Sequence, residues 1–278
     1  FEKYLFTPGI FDSVEIILTS TPYIVNFQAV PDIDAKVRVI AEIQAGDQGG
    51  ELVVDGTVSE PRSKKEVGEQ PFWGVFRPHE LKRIDFTIPV EPCHLWSPED
   101  PFLYELKLTT SGDSAKTRFG MRSFRFEAGG KHALLNGKRY FLRGSNVTIY
   151  RFFEDAERGD KPWRADWVRR LHQKFKTMHW NSLRYCIGFP PELWYDIADE
   201  EGILIQDEFP IWTLRDDPEK VVAAKIVPEY VAWMRERLNH PCVVILDAQN
   251  ESNIKESGLA LQSVRHLDYS NRPWENGW

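Results

Sequence analysis

At 278 residues the chain is long enough for about two domains, and a composition that is 42% hydrophobic and 13% aromatic supplies material for substantial cores. The net charge of -7 arises from interspersed acidic and basic residues without long like-charge blocks, which argues against a nucleic-acid or anionic-membrane partner. Cys93, Cys186 and Cys242 are too scattered for a disulfide framework or a zinc spacing, and no run approaches the roughly 20 apolar residues of a membrane span, so no metal, cofactor or transmembrane helix is expected.

The opening segment, FEKYLFTPGIFDS, begins without Met and has no basic stretch followed by an apolar core. A fragment of a longer protein is therefore expected. Through residue 126 the chain reads as strands. SVEIILT, YIVNFQAV, KVRVIAEI, ELVVDGTV, RIDFTIPV, LYELKLTT and AKTRFGM are short runs of β-branched and aromatic residues, separated by turn signals such as Gly46 to Gly50, Pro61, Pro92 and Ser111-Gly112-Asp113. In the fifth run Ile84, Phe86, Ile88 and Val90 alternate with Arg83, Asp85 and Thr87, the period of a half-buried antiparallel strand. The spacing predicts an immunoglobulin-like β-sandwich over 21–126, with the run before it one strand more than that fold needs.

From residue 127 the pattern changes. Asn136-Gly137 between apolar flanks signals a hairpin, followed by a strand at 139–142. Pro162 opens a helical stretch in which Trp167, Val168, Leu171, Phe175 and Met178 recur at helix spacing. Further strands are expected at 181–186, 203–209, 242–246 and from 272 onward. Helices should lie between them: one from Pro191 to a Gly202 stop, one from Asp217-Pro218 that Pro228 divides in two, and one over 254–267. Such alternation makes a parallel sheet.

Polar residues fall at the end of each successive strand: Asn146, then Arg184 and Tyr185, then Asp207 and Glu208, then Asn250 and Glu251, then Glu275 and Asn276. A (β/α)₈ TIM barrel gathers its site from all those ends, whereas an open doubly wound sheet concentrates ligand groups at one switch point. The expectation is a multidomain β plus α/β chain, with the sandwich followed by the N-terminal part of a barrel, about five strands over 127–278. Bare edges of an unclosed sheet invite association, so homo-oligomer formation is expected.

A carboxylate after a buried strand suits either a helix N-terminus or catalysis. Here the wider sequence decides. LWSPEDPFLYELKL, FGMRSFRF, LNGKRYFLRGSN, PPELWYDIADEEGILIQDEF, NHPCVVILDAQNES and NRPWENGW together resemble glycoside hydrolase family 2, the β-galactosidase, β-glucuronidase and β-mannosidase group. The resemblance implies a glycoside or oligosaccharide substrate, with Glu251 as general acid/base, Asn250 bonding the sugar near its 2-hydroxyl and Arg184 bracing the site. It places the nucleophilic glutamate after a seventh strand, outside these residues, so the 278 residues alone are expected to be inactive. It also makes residues 1–20 the last strand of an N-terminal jelly roll. Asn146 and Asp207 are further candidate substrate contacts, although Asn146 also suits a turn and Asp207 and Glu208 also suit structural roles.

Departures from the family pattern sharpen these expectations. Thr148 replaces a histidine common two residues beyond Asn146, YCIGFP replaces a histidine-bearing segment, and Leu246 stands where tryptophan is common. Galactose is thereby made doubtful. FPIWTL occupies the place of a magnesium-binding glutamate-histidine pair, so no metal is expected. Two alternatives stay open: a non-catalytic carbohydrate-binding module, or a self-sufficient enzyme pairing Glu251 with Glu208 or Glu275. Export to the periplasm or beyond is an expectation taken from polysaccharide-degrading members of the family.

Overall fold

The computed structural model describes residues 10, 12–149, 151, 155–212, 222–252 and 254–277. They divide into two compact units, one over 14–123 and the other over 124–277, to which Ile10, Asp12 and Ser13 also belong.

The first unit is a seven-stranded antiparallel structure. Strands β1 (Tyr23–Asp32), β2 (Lys36–Gln44) and β5 (Leu81–Pro89) form one sheet in the order β1-β2-β5. Strands β3 (Gly50–Ser59), β4 (Glu66–Phe76), β6 (Tyr104–Thr109) and β7 (Ser114–Phe119) form another in the order β4-β3-β6-β7. The alternation expected in β5 is present: Ile84 and Ile88 are buried while Arg83, Asp85 and Thr87 face water. They join Val37, Val39, Ile43, Val54, Leu106 and Leu108 in one core. Tyr104, at the start of β6, turns its hydroxyl back to donate to the Pro92 carbonyl and to accept from the His94 N–H, the tyrosine corner of immunoglobulin-type sandwiches.

Two strand expectations are corrected here. The run SVEIILT forms no strand, and Ile16, Ile17 and Leu18 are exposed. β-branched residues become a strand only where another edge supplies hydrogen bonds, and no described strand pairs with these. Conversely, β4 was not expected, because Gly68, Pro71 and Gly74 interrupt its pattern. It lies at a sheet edge, where one side of the ladder is unpaired and proline is tolerated.

The second unit begins with an antiparallel sheet of β8 (Phe124–Phe126), β9 (Ala133–Leu135) and β10 (Lys138–Tyr140). The turn from β9 to β10 uses Asn136 at φ 51 and Gly137 at φ 75, the left-handed pair of a type I′ hairpin. The strand expected at 139–142 is therefore the second arm of this hairpin. The first strand of the parallel sheet lies later, at β11 (Gly144–Val147). Its glycine is required by close approach: a Cβ on Gly144 would lie 1.6 Å from the Ser182 carbonyl oxygen.

Five parallel strands then follow in chain order: β11, β12 (Ser182–Tyr185), β13 (Leu204–Glu208), β14 (Val243–Asp247) and β15 (Trp274–Glu275). Between them run α1 (Ala165–Thr177), α2 (Leu193–Glu201), α3 (Ala223–Arg237) and α4 (Lys255–Val264). Sequential order with a helix in each connection is the arrangement of a (β/α) barrel wall. Gly202 ends α2 as expected, at φ 72 with its N–H on the Ala198 carbonyl. Pro228 does not split its segment, since α3 runs through it. The lost hydrogen bond falls near the start of α3, and burial of Ile226, Tyr230, Trp233 and Met234 holds the helix on the sheet. The expected cap at Asp217-Pro218 lies outside the described residues. Among the described residues no helix is long and apolar enough to cross a membrane.

Candidate active site

Side chains on a strand alternate between faces, so one register decides which polar groups meet. Asn146 pairs with Arg184 across β11 and β12, and Glu208, Asp247 and Glu275 align across β13, β14 and β15. Gly144, Asn146, Ser182, Arg184, Gln206 and Ile245 line a cavity of about 250 Å³ on the inner face of the sheet.

Arg184 is the hub. Its Nη2 donates to Asn250 Oδ1 at 2.9 Å and to Asp247 Oδ2 at 3.1 Å, and it forms an ion pair with Glu208. Asp247 Oδ2 also accepts from Gln206 Nε2 at 3.0 Å, and that amide bridges onward to Glu275 Oε2 at 2.7 Å. The Asp247 and Glu208 side chains are fully buried. Burial raises Glu208 to about 7 against the opposing pull of the Arg184 guanidinium, while its Oε1 accepts the Ile187 N–H at 2.8 Å.

Beyond β14 the chain turns through the polar segment 248–252. The Asn250 N–H donates to the Ile211 carbonyl at 2.8 Å and the Phe209 N–H to the Asp247 carbonyl at 2.8 Å, which laces the ends of β13 and β14 together. Glu251 follows at φ 40, a left-handed conformation uncommon for a residue with a side chain and typical of functional turns. Its carboxylate is solvent-accessible and accepts the Trp212 indole N–H at 3.1 Å. The arrangement thus offers an exposed, oriented carboxylate, a buried amide turned by an arginine, and a fixed positive charge. Thr148, standing where a histidine was looked for, contacts Cys186 Sγ through its Oγ1 at 3.2 Å.

Arg184 and Asn250 are brought together, Glu251 follows Asn250 in the chain with its carboxylate on Trp212, and Asn146 lies on the same face as Arg184. Asp207 is not among them, which corrects its expected role as a substrate contact. With Gln206 and Glu208 facing inward, alternation turns Asp207 outward toward the helices. There it is fully buried and accepts from Tyr195 Oη at 2.6 Å, Trp233 Nε1 at 2.7 Å and Arg237 Nε at 3.1 Å. Arg237 also reaches Glu192 at 2.9 Å and lies over the Tyr195 ring. Asp247 and Gln206 were missed. Counting alternate positions back from the polar segment along Val243, Ile245 and Asp247 would have found the first. Trp212, whose indole reaches Glu251, stands at the rim of this group.

Among the described residues the grouping nearest to a metal-ligand set is Asp199, His240 and Cys242, with ligand atoms within 4.8 Å of one another. It lies at the N-terminal end of β14, the far end from Asp247. The two imidazole nitrogens of His240 sit 2.6 Å from Asp199 and 2.7 Å from Glu192. Burial opposes its charge, but the two carboxylates prevail and raise it to about 10, which makes His240 a cation held between Asp199 and Glu192.

The sequence model of glycosyl hydrolases family 2 matches residues 22–122, and that of the family's TIM barrel domain matches residues 126–274. A β-galactosidase from Enterobacter cloacae is 29% identical over 272 residues, an alignment covering 88% of this chain and 25% of the relative. The chain thus spans about a quarter of the length of that relative. Among solved structures, a family 2 β-galacturonidase from Eisenbergiella tayi superposes with TM-score 0.73 at 20% identity, over 92% of this chain and 46% of its own. A β-glucuronidase from Faecalibacterium prausnitzii gives TM-score 0.72 at 24% identity, over 91% and 41%. The sandwich and the barrel strands are shared with both. With one family model over the sandwich and a second over more than half of the sequence, the chain belongs to glycosyl hydrolases family 2.

Proposed function

We propose that this chain carries the acid/base side of a retaining exo-β-glycosidase active site. Glu251 protonates the departing glycosidic oxygen and then, as a carboxylate, draws a proton from the water that releases the sugar. Asn250 donates its amide to a ring hydroxyl, a contact that strengthens as the oxocarbenium-like state forms. Arg184 keeps that amide turned and balances the buried carboxylates. The attacking carboxylate, which a double displacement needs roughly 5–5.5 Å from the acid, belongs in this reading to a glutamate outside these residues. Glu208 and Glu275 are engaged by Arg184 and Gln206 and are read as supports of the network, not as nucleophiles.

The observation that carries the proposal is the Arg184–Asn250 hydrogen bond, which ties the residue beside Glu251 to the C-terminal end of β12, two strands away in the sheet. The names of the relatives point to β-linked hexosides or hexuronides. The test is the anomer first released from an aryl β-glycoside by the native polypeptide containing this sequence, followed by proton NMR. The β anomer is expected first. Initial release of the α anomer excludes double displacement, and sugar binding without turnover favours a non-catalytic module.

A further inference from the structure

Three groups share Arg184 Nη2: Asn250 Oδ1 and Asp247 Oδ2 as hydrogen-bond acceptors, and the Glu208 carboxylate as an ion-pair partner. A guanidinium only donates, so it fixes which end of the Asn250 amide faces it and leaves the NH₂ turned away. The place of the guanidinium is therefore read out in the aim of those two donors. Asp247 divides its Oδ2 between Arg184 and Gln206, whereas Glu208 is anchored independently through the Ile187 N–H. We propose that Glu208 is a positioning residue, whose ionised carboxylate holds Arg184 where it aligns Asn250 for the sugar. This rests on the glycosidase reading above.

The charged and titratable groups facing Glu208 are the Arg184 guanidinium on β12, the Cys186 thiol just beyond it and Asp247 on β14. Of these charged and titratable groups only Arg184 favours the Glu208 anion, joined by the Ile187 N–H. With Glu208 neutral, the anionic partner left to Arg184 is Asp247, and the guanidinium relaxes toward it and away from Asn250. Burial that raises Glu208 to about 7 puts this change near neutral pH, so activity gains an acid limb that belongs to a group making no contact with the reacting atoms.

Glu208→Gln preserves shape and removes the charge. In the native polypeptide containing this sequence, kcat on an aryl β-glycoside should fall about tenfold or more, as expected for a misaligned contact, with a smaller change in KM and with the acid limb near neutral pH abolished. A crystal structure of the variant should show Arg184 withdrawn from Asn250. A parental kcat with an unchanged acid limb overturns the proposal, as does an intact Arg184–Asn250 contact in the variant. If the variant does not fold, crystals of the parent at about pH 5.5 and about pH 8.5 decide: Arg184 shifts toward Asp247 in the acid form, and an immobile Arg184 overturns the proposal. Glu251→Gln separates the two readings. If it keeps full turnover on unactivated glycosides, the acid/base assignment of Glu251 fails; if it is inactive while Glu208→Gln behaves as the parent, only the positioning role fails.

Discussion

Replacing Asp207 by Asn tests whether its carboxylate is structural. The side chain is fully buried and takes hydrogen bonds from Tyr195, Trp233 and Arg237, so the amide retains one acceptor and turns a donor toward groups that themselves donate. Removing one partner of a buried charge pair costs about 3–5 kcal/mol because the other charge is left behind. Arg237 keeps Glu192 at 2.9 Å and Glu236 at 3.3 Å, which sets the expectation at the lower end, about 3 kcal/mol. For a unit of this size that corresponds to a melting point lowered by about 6–12 °C. The assay is thermal unfolding followed by tryptophan fluorescence, since Trp194 and Trp233 are both buried in this unit. Affinity for a sugar inhibitor, measured below the transition in the native polypeptide, should be unchanged. A melting point within about 2 °C of the parent, or a large loss of affinity at full stability, would refute the reasoning.

Trp212→Phe removes the indole donor from Glu251 and should lower kcat about tenfold, the value of one hydrogen bond to a charged group; steady-state kinetics check it, and an unchanged kcat argues against an orienting role. Two histidines set opposite pH limits on the stability of the 124–277 unit. His240 is raised to about 10 from an ordinary 6.5, so its ion pairs contribute fully below 6.5 and are lost as pH rises through 10. Burial lowers His172 from 6.5 to about 4, so its contribution is present above 6.5 and is lost as pH falls toward 4. Urea denaturation across this range should show both slopes, the alkaline one diminished in His240→Gln and the acid one in His172→Gln. Residues 1–278 purified alone should show no turnover of aryl β-glycosides, and any turnover that Glu251→Gln abolishes would place a nucleophile within this chain.

Much of this architecture could be read from the residues. The strict alternation of β5 and the Asn136-Gly137 turn specify local geometry through sterics and burial, and both appear in the structure. β4 was illegible because glycine and proline break its pattern, and only its place at a sheet edge makes them tolerable. β11 was misplaced because Gly144–Val147 is exposed or half-buried and lacks the apolar run that marks a central strand. The meeting of polar groups at strand ends was legible at Arg184 and Asn250, which bond each other. Legibility failed at Asp207 and Asp247 for one reason: strand-end position does not say which face a side chain takes, and alternation had to be counted as well.

The central claim is that Glu251 is the proton donor, and leaving-group dependence tests it most directly. In Glu251→Gln, cleavage of alkyl glycosides, whose poor leaving groups need protonation, should fall by about 10²–10⁴, the range attributed to general acid–base catalysis. Formation of the glycosyl-enzyme from a dinitrophenyl glycoside, whose leaving group departs unprotonated, should be much less affected. Equal losses for both substrates, or none for either, would contradict the account.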